Sequence, residues 1–197
     1  MNLPNKLTLI RIILVPFFIA TLLIDFPHHF IVALILFAVA SITDCLDGKI
    51  ARKNNLVTDL GKFLDPLADK ILVMSALVCF VALGLNDCII VIIALFREFT
   101  ITSVRLMAAS KGKVVAANIF GKIKTVTQII AVIAIFVLQY ALELINMGII
   151  PLSNDIYNLL SSLFFIIGEV LLWISTFFVI LSGIIYVFEN KEFIIGK

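Results

Sequence analysis

The chain has 197 residues and a formal net charge of +2; 62% of its residues are hydrophobic and 14% are charged. Because a soluble domain is typically about 45–50% apolar and about 25% charged, this composition excludes both a small water-soluble globule and an intrinsically disordered chain. It indicates an all-α integral membrane protein, in which a span and its turn take roughly 25–35 residues, so that about six spans fit.

Six apolar runs follow one another along the chain, and each is predicted to form a transmembrane helix. Residues 1–7 are too few to span a bilayer and are predicted to form a short interfacial segment before the first span. The polar stretch 49–64 is predicted to be a cytoplasmic turn and helix. With no linker or internal repeat, residues 1–197 are expected to form a single domain. The predicted spans are 8–24, 30–48, 66–85, 88–108, 118–145 and 158–188.

The basic residues are distributed asymmetrically between the connections. All 15 Lys and Arg residues lie on one side of the predicted membrane or in span segments that approach it from that side. The connections 25–29, 84–87 and 146–157 contain neither Lys nor Arg. Because cytoplasmic loops carry the excess of Lys and Arg, both termini are predicted to be cytoplasmic in a multi-pass protein of the cell membrane.

Four aspartates interrupt the apolar pattern where the second span ends and the third begins. Asp44 and Asp47 are spaced i, i+3, and Asp65 and Asp69 are spaced i, i+4, so each pair lies on one face of a helix. Four carboxylates in one low-dielectric pocket repel one another and must be neutralised by protons or by metal. All-oxygen ligands favour hard divalent cations, and two such ions are suited to displacement at phosphorus.

Each pair also has a structural alternative. Pro66 suits the first turn of a helix, which would make Asp65 an N-cap, and Asp44 and Asp47 would be solvated carboxylates at a helix end. Ionisable residues inside membrane spans are by default candidates for function. Two facing pairs on neighbouring spans therefore favour a shared site.

Small residues and an arginine accompany the aspartates. Glycine within a helical pattern costs up to about 1 kcal/mol, which makes sense where a nucleotide or a partner helix must approach the backbone. Gly48 and Gly61 are such residues, and Ala51 continues the small surface. Arg52 is placed to meet a phosphate with its planar guanidinium.

Together these residues resemble the signature of the CDP-alcohol phosphatidyltransferase family. The opening residues also resemble the N-terminal element of that family, which here reads Pro4-Asn5-x₂-Thr8-x₂-Arg11. The resemblance extends over essentially the whole chain. Every signature position is filled, in the order Asp44-x₂-Asp47-Gly48-x₂-Ala51-Arg52-x₈-Gly61-x₃-Asp65-x₃-Asp69.

The resemblance implies a reaction in which an alcohol attacks the phosphorus that carries the diacylglycerol of CDP-diacylglycerol and expels CMP. Asp69 would be the general base that takes the proton from the alcohol. A homodimer is implied as well. The implied ligands of two divalent cations, Mg²⁺ or Mn²⁺, are Asp44, Asp47, Asp65 and Asp69. The implied CDP-binding residues are Gly48, Ala51, Arg52 and Gly61.

Basic residues in the fourth and fifth spans favour an acceptor that carries its own phosphate. Arg97 and Arg105 lie on one stripe of a helix. Lys122 and Lys124 are about 200° apart around a helix, so only one of them, Lys122, is expected to face the pocket. The structural alternatives are that Arg97 pairs with an aspartate or with Glu98, and that Arg105 extends to the interface.

The strings Arg97-Glu98-Phe99 and Gly121-Lys122-Ile123-Lys124-Thr125 also resemble the bacterial branch of the family whose acceptor is glycerol 3-phosphate. The expected function is transfer of a phosphatidyl group to that acceptor, at the cytoplasmic face of the membrane. One alternative keeps the chemistry but uses serine, inositol or phosphatidylglycerol. The others are an aspartate-rich intramembrane prenyltransferase and a cation transporter. No nucleic-acid partner is expected.

Overall fold

A computed structural model describes the backbone of residues 3–53, 59–113 and 119–195. Within these ranges the structure is helical and contains no strand. The side chains of residues 3–4, 44–53, 59–67, 69 and 194–195 lie outside the described part. The helices are α1 (Leu3–Leu23), α2 (His29–Lys53), α3 (Asp59–Ala82), α4 (Cys88–Ser110), α5 (Ile119–Asn146), α6 (Asn154–Glu189) and α7 (Lys191–Ile195).

The six long helices correspond one to one with the six predicted apolar runs, which confirms the all-helical class. Residues 3–7 of the predicted interfacial segment are the first residues of α1, and their place at the membrane interface stays a prediction. The turn and helix predicted at 49–64 are not a separate element: residues 49–53 end α2 and residues 59–64 begin α3, while residues 54–58 lie outside the described residues. Hydropathy marks where a helix is apolar, whereas the helical backbone continues into the polar residues that follow.

Three helices of the described chain are long and apolar enough to cross a membrane, namely α1 from Asn5 onward, α5 and α6. α2 and α3 contain shorter apolar stretches, His29–Thr43 and Lys70–Ala82. Large apolar side chains point outward from the bundle; Phe96, for example, is 75% exposed. An apolar exterior of this kind is suited to lipid rather than water. The number of spans stays a prediction.

Local sequence explains where the helices turn. Asp87 caps α4, since its carboxylate accepts a hydrogen bond of 3.1 Å from the backbone N–H of Ile89. After α3 the chain reverses at Gly84, whose φ of +70° is the left-handed conformation that closes many helices. Gly148 does the same after α5, with φ +74°. These short connections keep successive helices side by side.

The helices form one bundle in which α1 packs against α2 and α3, α2 against α5, α5 against α6, and α6 against α4. The buried apolar part of the interior contains an aromatic core of four phenylalanines. The closest ring centroids in this core, those of Phe80 and Phe136, are 5.2 Å apart. In lipid, such close packing supplies the attraction that water would otherwise provide. The aromatic core consists of Phe18, Phe37, Phe80 and Phe136.

Candidate active site

A polar cavity of about 470 Å³ lies in the half of the bundle opposite the aromatic core. Residues from all six long helices line it, from Arg11 on α1 to Tyr186 on α6. Among the described lining residues the only carboxylate is Glu98. The excess of positive charge is suited to an anionic ligand. The lining cations are Arg11, Lys70, Arg97, Arg105, Lys122 and Lys124.

The predicted metal ligands belong to the same end of the bundle. Asp44 and Asp47 lie in about the last three turns of α2, and the second aspartate pair lies in about the first three turns of α3. Ala68 and Lys70, the neighbours of Asp69, both line the cavity. The roles proposed for the signature stay predictions, because its side chains lie outside the described residues: Asp44, Asp47, Gly48, Ala51, Arg52, Gly61, Asp65 and Asp69.

Glu98 is the centre of the charged network inside the cavity. Its Oε1 lies 2.8 Å from Arg97 Nη1 and 2.6 Å from Lys124 Nζ, and its Oε2 lies 3.5 Å from Lys70 Nζ. The Lys70 ammonium also donates to Thr102 Oγ1 at 2.5 Å. Both Glu98 and Lys124 are buried. One carboxylate therefore joins cations from α3, α4 and α5, and such charge-assisted bonds are among the stronger ones in proteins.

Arg97 is anchored from two directions. Its Nη1 donates to Glu98, and its Nε donates to Ser182 Oγ on α6 at 3.1 Å. Gly183 permits this approach, since a Cβ there would lie only 3.2 Å from Arg97 Cγ. The contact with Glu98 that sequence analysis kept as an alternative is confirmed. Arg97 nevertheless lines the cavity, so the contact does not remove it from the candidate acceptor site.

Arg105 lies at the exposed side of the cavity. Its Nε donates to Tyr186 Oη at 3.2 Å, and its guanidinium carbon lies 5.7 Å from the centroid of the Tyr186 ring. This cation–π geometry holds the arginine against α6. Arg105 is exposed and still lines the cavity beside Tyr186.

The orientation of the two lysines at the start of α5 differs from the sequence prediction. The prediction that only one of them faces the pocket was wrong, because Lys122 and Lys124 both line the cavity. Lys122 is exposed, whereas Lys124 is buried against Glu98. The angular argument treats the pocket as one narrow face, but the cavity extends around the first turns of α5 and a lysine side chain is long enough to reach it.

Residues 1–181 match the model of the CDP-alcohol phosphatidyltransferase family. The chain belongs to this family. The resemblance predicted from the aspartate signature is thereby confirmed, and membership argues against the prenyltransferase and transporter alternatives.

Two similar bacterial proteins align with the chain over nearly their full length. A protein of Bacillus subtilis is 42% identical in an alignment of 203 positions, which covers 97% of this chain and 96% of the relative. A protein of Rickettsia bellii is 37% identical, covering 98% of this chain and 97% of the relative. Both are named CDP-diacylglycerol–glycerol-3-phosphate 3-phosphatidyltransferase.

Sequence analysis missed several buried polar or cavity-lining residues. Lys70 was overlooked, although it directly follows Asp69 and lies within a predicted span. Thr8 and Arg11 were noted only as part of the N-terminal element; they are 0% and 1% exposed, and Arg11 lines the cavity. Their spacing of i, i+3 on a mostly apolar helix was the available signal. Glu98 was considered only as the neighbour of Arg97, since its contacts depend on how three helices assemble.

Proposed function

We propose that this protein transfers the phosphatidyl group from CDP-diacylglycerol to glycerol 3-phosphate, giving phosphatidylglycerol phosphate and CMP. The observation that carries the proposal is the cation-lined cavity next to the helix segments of the aspartate signature. Relatives that carry the name of this activity align with 97–98% of the chain, which supports it.

The cavity charge favours a phosphorylated acceptor. A phosphate monoester carries about −1.5 to −2 charges near neutral pH and offers strong hydrogen-bond acceptors. Arg97, Arg105 and Lys122 would bind it, with Arg97 held in place by Ser182. A neutral polyol or a zwitterionic amino acid would leave this concentration of positive charge unbalanced. The same cavity also has to accept the diphosphate of the donor.

The aspartates fit a pair of divalent cations by their donor chemistry. The described cavity carboxylate, Glu98, already contacts three cations, so the hard oxygen donors left for a metal are those of the signature. When bound, Mg²⁺ or Mn²⁺ would neutralise the diphosphate and the departing CMP. The ligands in this proposal are Asp44, Asp47, Asp65 and Asp69.

The remaining steps belong to the side chains. Asp69 would take the proton of the acceptor hydroxyl as that oxygen attacks the phosphorus that carries the diacylglycerol. Arg52 would hold the diphosphate of CDP. Room for the nucleotide at the backbone would come from Gly48, Ala51 and Gly61.

The placement in the membrane is part of the proposal. Six spans with both termini in the cytoplasm would put the cavity and the basic connections on the cytoplasmic side of the cell membrane. A water-soluble acceptor and a lipid-bound donor can meet there. A homodimer is proposed from the family resemblance.

The test is CMP release by the purified protein with CDP-diacylglycerol and Mg²⁺ or Mn²⁺. Glycerol 3-phosphate, serine, inositol and phosphatidylglycerol are supplied separately. The expected result is release with glycerol 3-phosphate only, and its loss in Asp69→Asn. Release with a different acceptor would overturn the proposed acceptor, and no release from folded protein would overturn the proposed activity.

A further inference from the structure

Glu98 is an acid at the centre of a basic cavity, an arrangement that the proposed chemistry does not use. It is 8% exposed and contacts a cation on each of three helices. A carboxylate facing the site of an anionic substrate lowers the attraction for that substrate. Its presence therefore calls for a compensating role.

The geometry shows what the carboxylate does for its neighbours. Lys124 is 7% exposed and its ammonium is 2.6 Å from Glu98 Oε1. Arg97 approaches the same oxygen, and Lys70 approaches the other. Without the carboxylate these like charges would repel one another across a low-dielectric interior, and the buried lysine would lose its counter-charge.

The cluster keeps a net positive charge in spite of its carboxylate. Three cations and one carboxylate leave a net +2 for Lys70, Arg97, Lys124 and Glu98. A phosphate monoester, whose charge near neutral pH approaches −2, is therefore still attracted to the cluster although Glu98 lies within it. Lys70 directly follows Asp69, so a phosphate held here would keep the acceptor next to the helix segment of the predicted base.

We propose that Glu98 is a positioning residue that holds Lys70, Arg97 and Lys124 together as one binding group for the acceptor's phosphate. This inference rests on the proposed function, because it requires a phosphorylated acceptor. It adds Lys70 and Lys124 to the acceptor site. Glu98 would affect acceptor binding by positioning these cations, without contacting the substrate itself.

The test compares the KM values for the two substrates in Glu98→Gln, which keeps the shape and removes the charge. We expect the KM for glycerol 3-phosphate to rise about tenfold or more as the cations move apart, while the KM for CDP-diacylglycerol changes less than about twofold. The matched control is Glu143→Gln. Glu143 is a partly buried carboxylate on α5 that accepts from the His29 backbone N–H at 3.1 Å, outside the cavity. Both KM values should stay unchanged there.

A double-mutant cycle identifies the route of the effect. We expect Lys124→Met alone to raise the KM for glycerol 3-phosphate. In the Lys124→Met background, Glu98→Gln should then raise that KM by a much smaller factor than it does in the wild-type background. If Glu98→Gln fails to fold, Glu98→Asp takes its place, because it keeps the charge but withdraws the carboxylate by one carbon. It too should raise the KM for glycerol 3-phosphate selectively.

Three results would overturn the inference: a KM for glycerol 3-phosphate that is unchanged in the Glu98 variants, one that falls, or equal increases for both substrates. A fall would mean that Glu98 competes with the phosphate. In each case the wild type still uses glycerol 3-phosphate, so the proposed function survives. If instead the wild type uses only an acceptor without phosphate, the proposed function and this inference fail together.

Discussion

The two halves of the bundle interior are built from the same helices but hold together by different forces. On α1, the buried stripe begins with Asn5, Thr8 and Arg11 and continues with Val15, Phe18 and Leu22. On α5, Lys124 and Gln128 precede a buried apolar stretch that reaches Phe136. Each stripe is thus polar where it meets the cavity and apolar where it meets the aromatic core. One inward face serves both packing and chemistry.

The difference predicts that damage to one half can be separated from damage to the other. A change in the aromatic core should lower stability and leave substrate recognition intact. A change in the cavity should alter activity or substrate recognition. The following variants test this separation, from the largest expected effect to the smallest.

The largest effect is expected from Asp69→Asn in the signature. Removal of the proposed general base should reduce the rate of CMP release by about 10²–10⁴-fold. The melting temperature in detergent should be unchanged, since Asn is nearly isosteric with Asp. Activity close to that of the wild type would remove Asp69 from the role of base.

The next effect concerns two adjacent phenylalanines with opposite surroundings. Phe18 is 1% exposed and packs against Phe37 and Phe136, with ring centroids 5.9 and 6.0 Å away. Phe18→Ala should destabilise the protein by about 3–5 kcal/mol, because it leaves a cavity in the aromatic core. Thermal unfolding in detergent measures the loss, and the KM values of the folded fraction should stay the same.

Phe17→Ala is the matched control, because Phe17 is 62% exposed on the outside of the bundle. Its melting temperature should stay close to that of the wild type. Equal destabilisation by both substitutions would show that the aromatic core does not stabilise the fold.

The smallest effect is expected from Gly183→Ala on α6, with Gly168→Ala on the same helix as the matched control. A Cβ at Gly183 would lie 3.2 Å from Arg97 Cγ, and a Cβ at Gly168 would lie 3.2 Å from Ile135 Cγ1. Gly183→Ala should shift Arg97 and raise the KM for glycerol 3-phosphate by about threefold to tenfold. Gly168→Ala crowds an apolar contact to the same degree and should leave that KM unchanged. Steady-state kinetics decides, and similar KM values in both variants would contradict the separation.

Much of the fold could be predicted because a membrane imposes a simple pattern on sequence. Six apolar runs became six long helices, and only their polar ends were misplaced, as where α2 continues to Lys53. Arg97 could be selected for the cavity because a charge within a predicted span is rare and costly, and Arg105 because it lies on the same helical stripe. Both line the cavity, and so does Lys122, which was preferred to Lys124 on angular grounds.

The rest depends on the assembly of helices, which a single sequence does not reveal. Lys70 contacts Glu98 only because α3 and α4 pack together with these two residues at the same height along the bundle. The angular separation of about 200° from Lys122 excluded Lys124, but a helical angle does not report the width of a cavity. The position of Arg97 depends on its hydrogen bond to Ser182, which lies 85 residues away in the chain. The contacts that organise this site are therefore almost all between helices.

The measurement that tests the central claim most directly compares glycerol 3-phosphate with glycerol as acceptor for CDP-diacylglycerol. The two share the attacking hydroxyl and differ in the phosphate that the cation-lined cavity is proposed to bind. We predict CMP release with glycerol 3-phosphate and none above background with glycerol at the same concentration. Equal release with both would contradict the claim that the cavity recognises a phosphorylated acceptor.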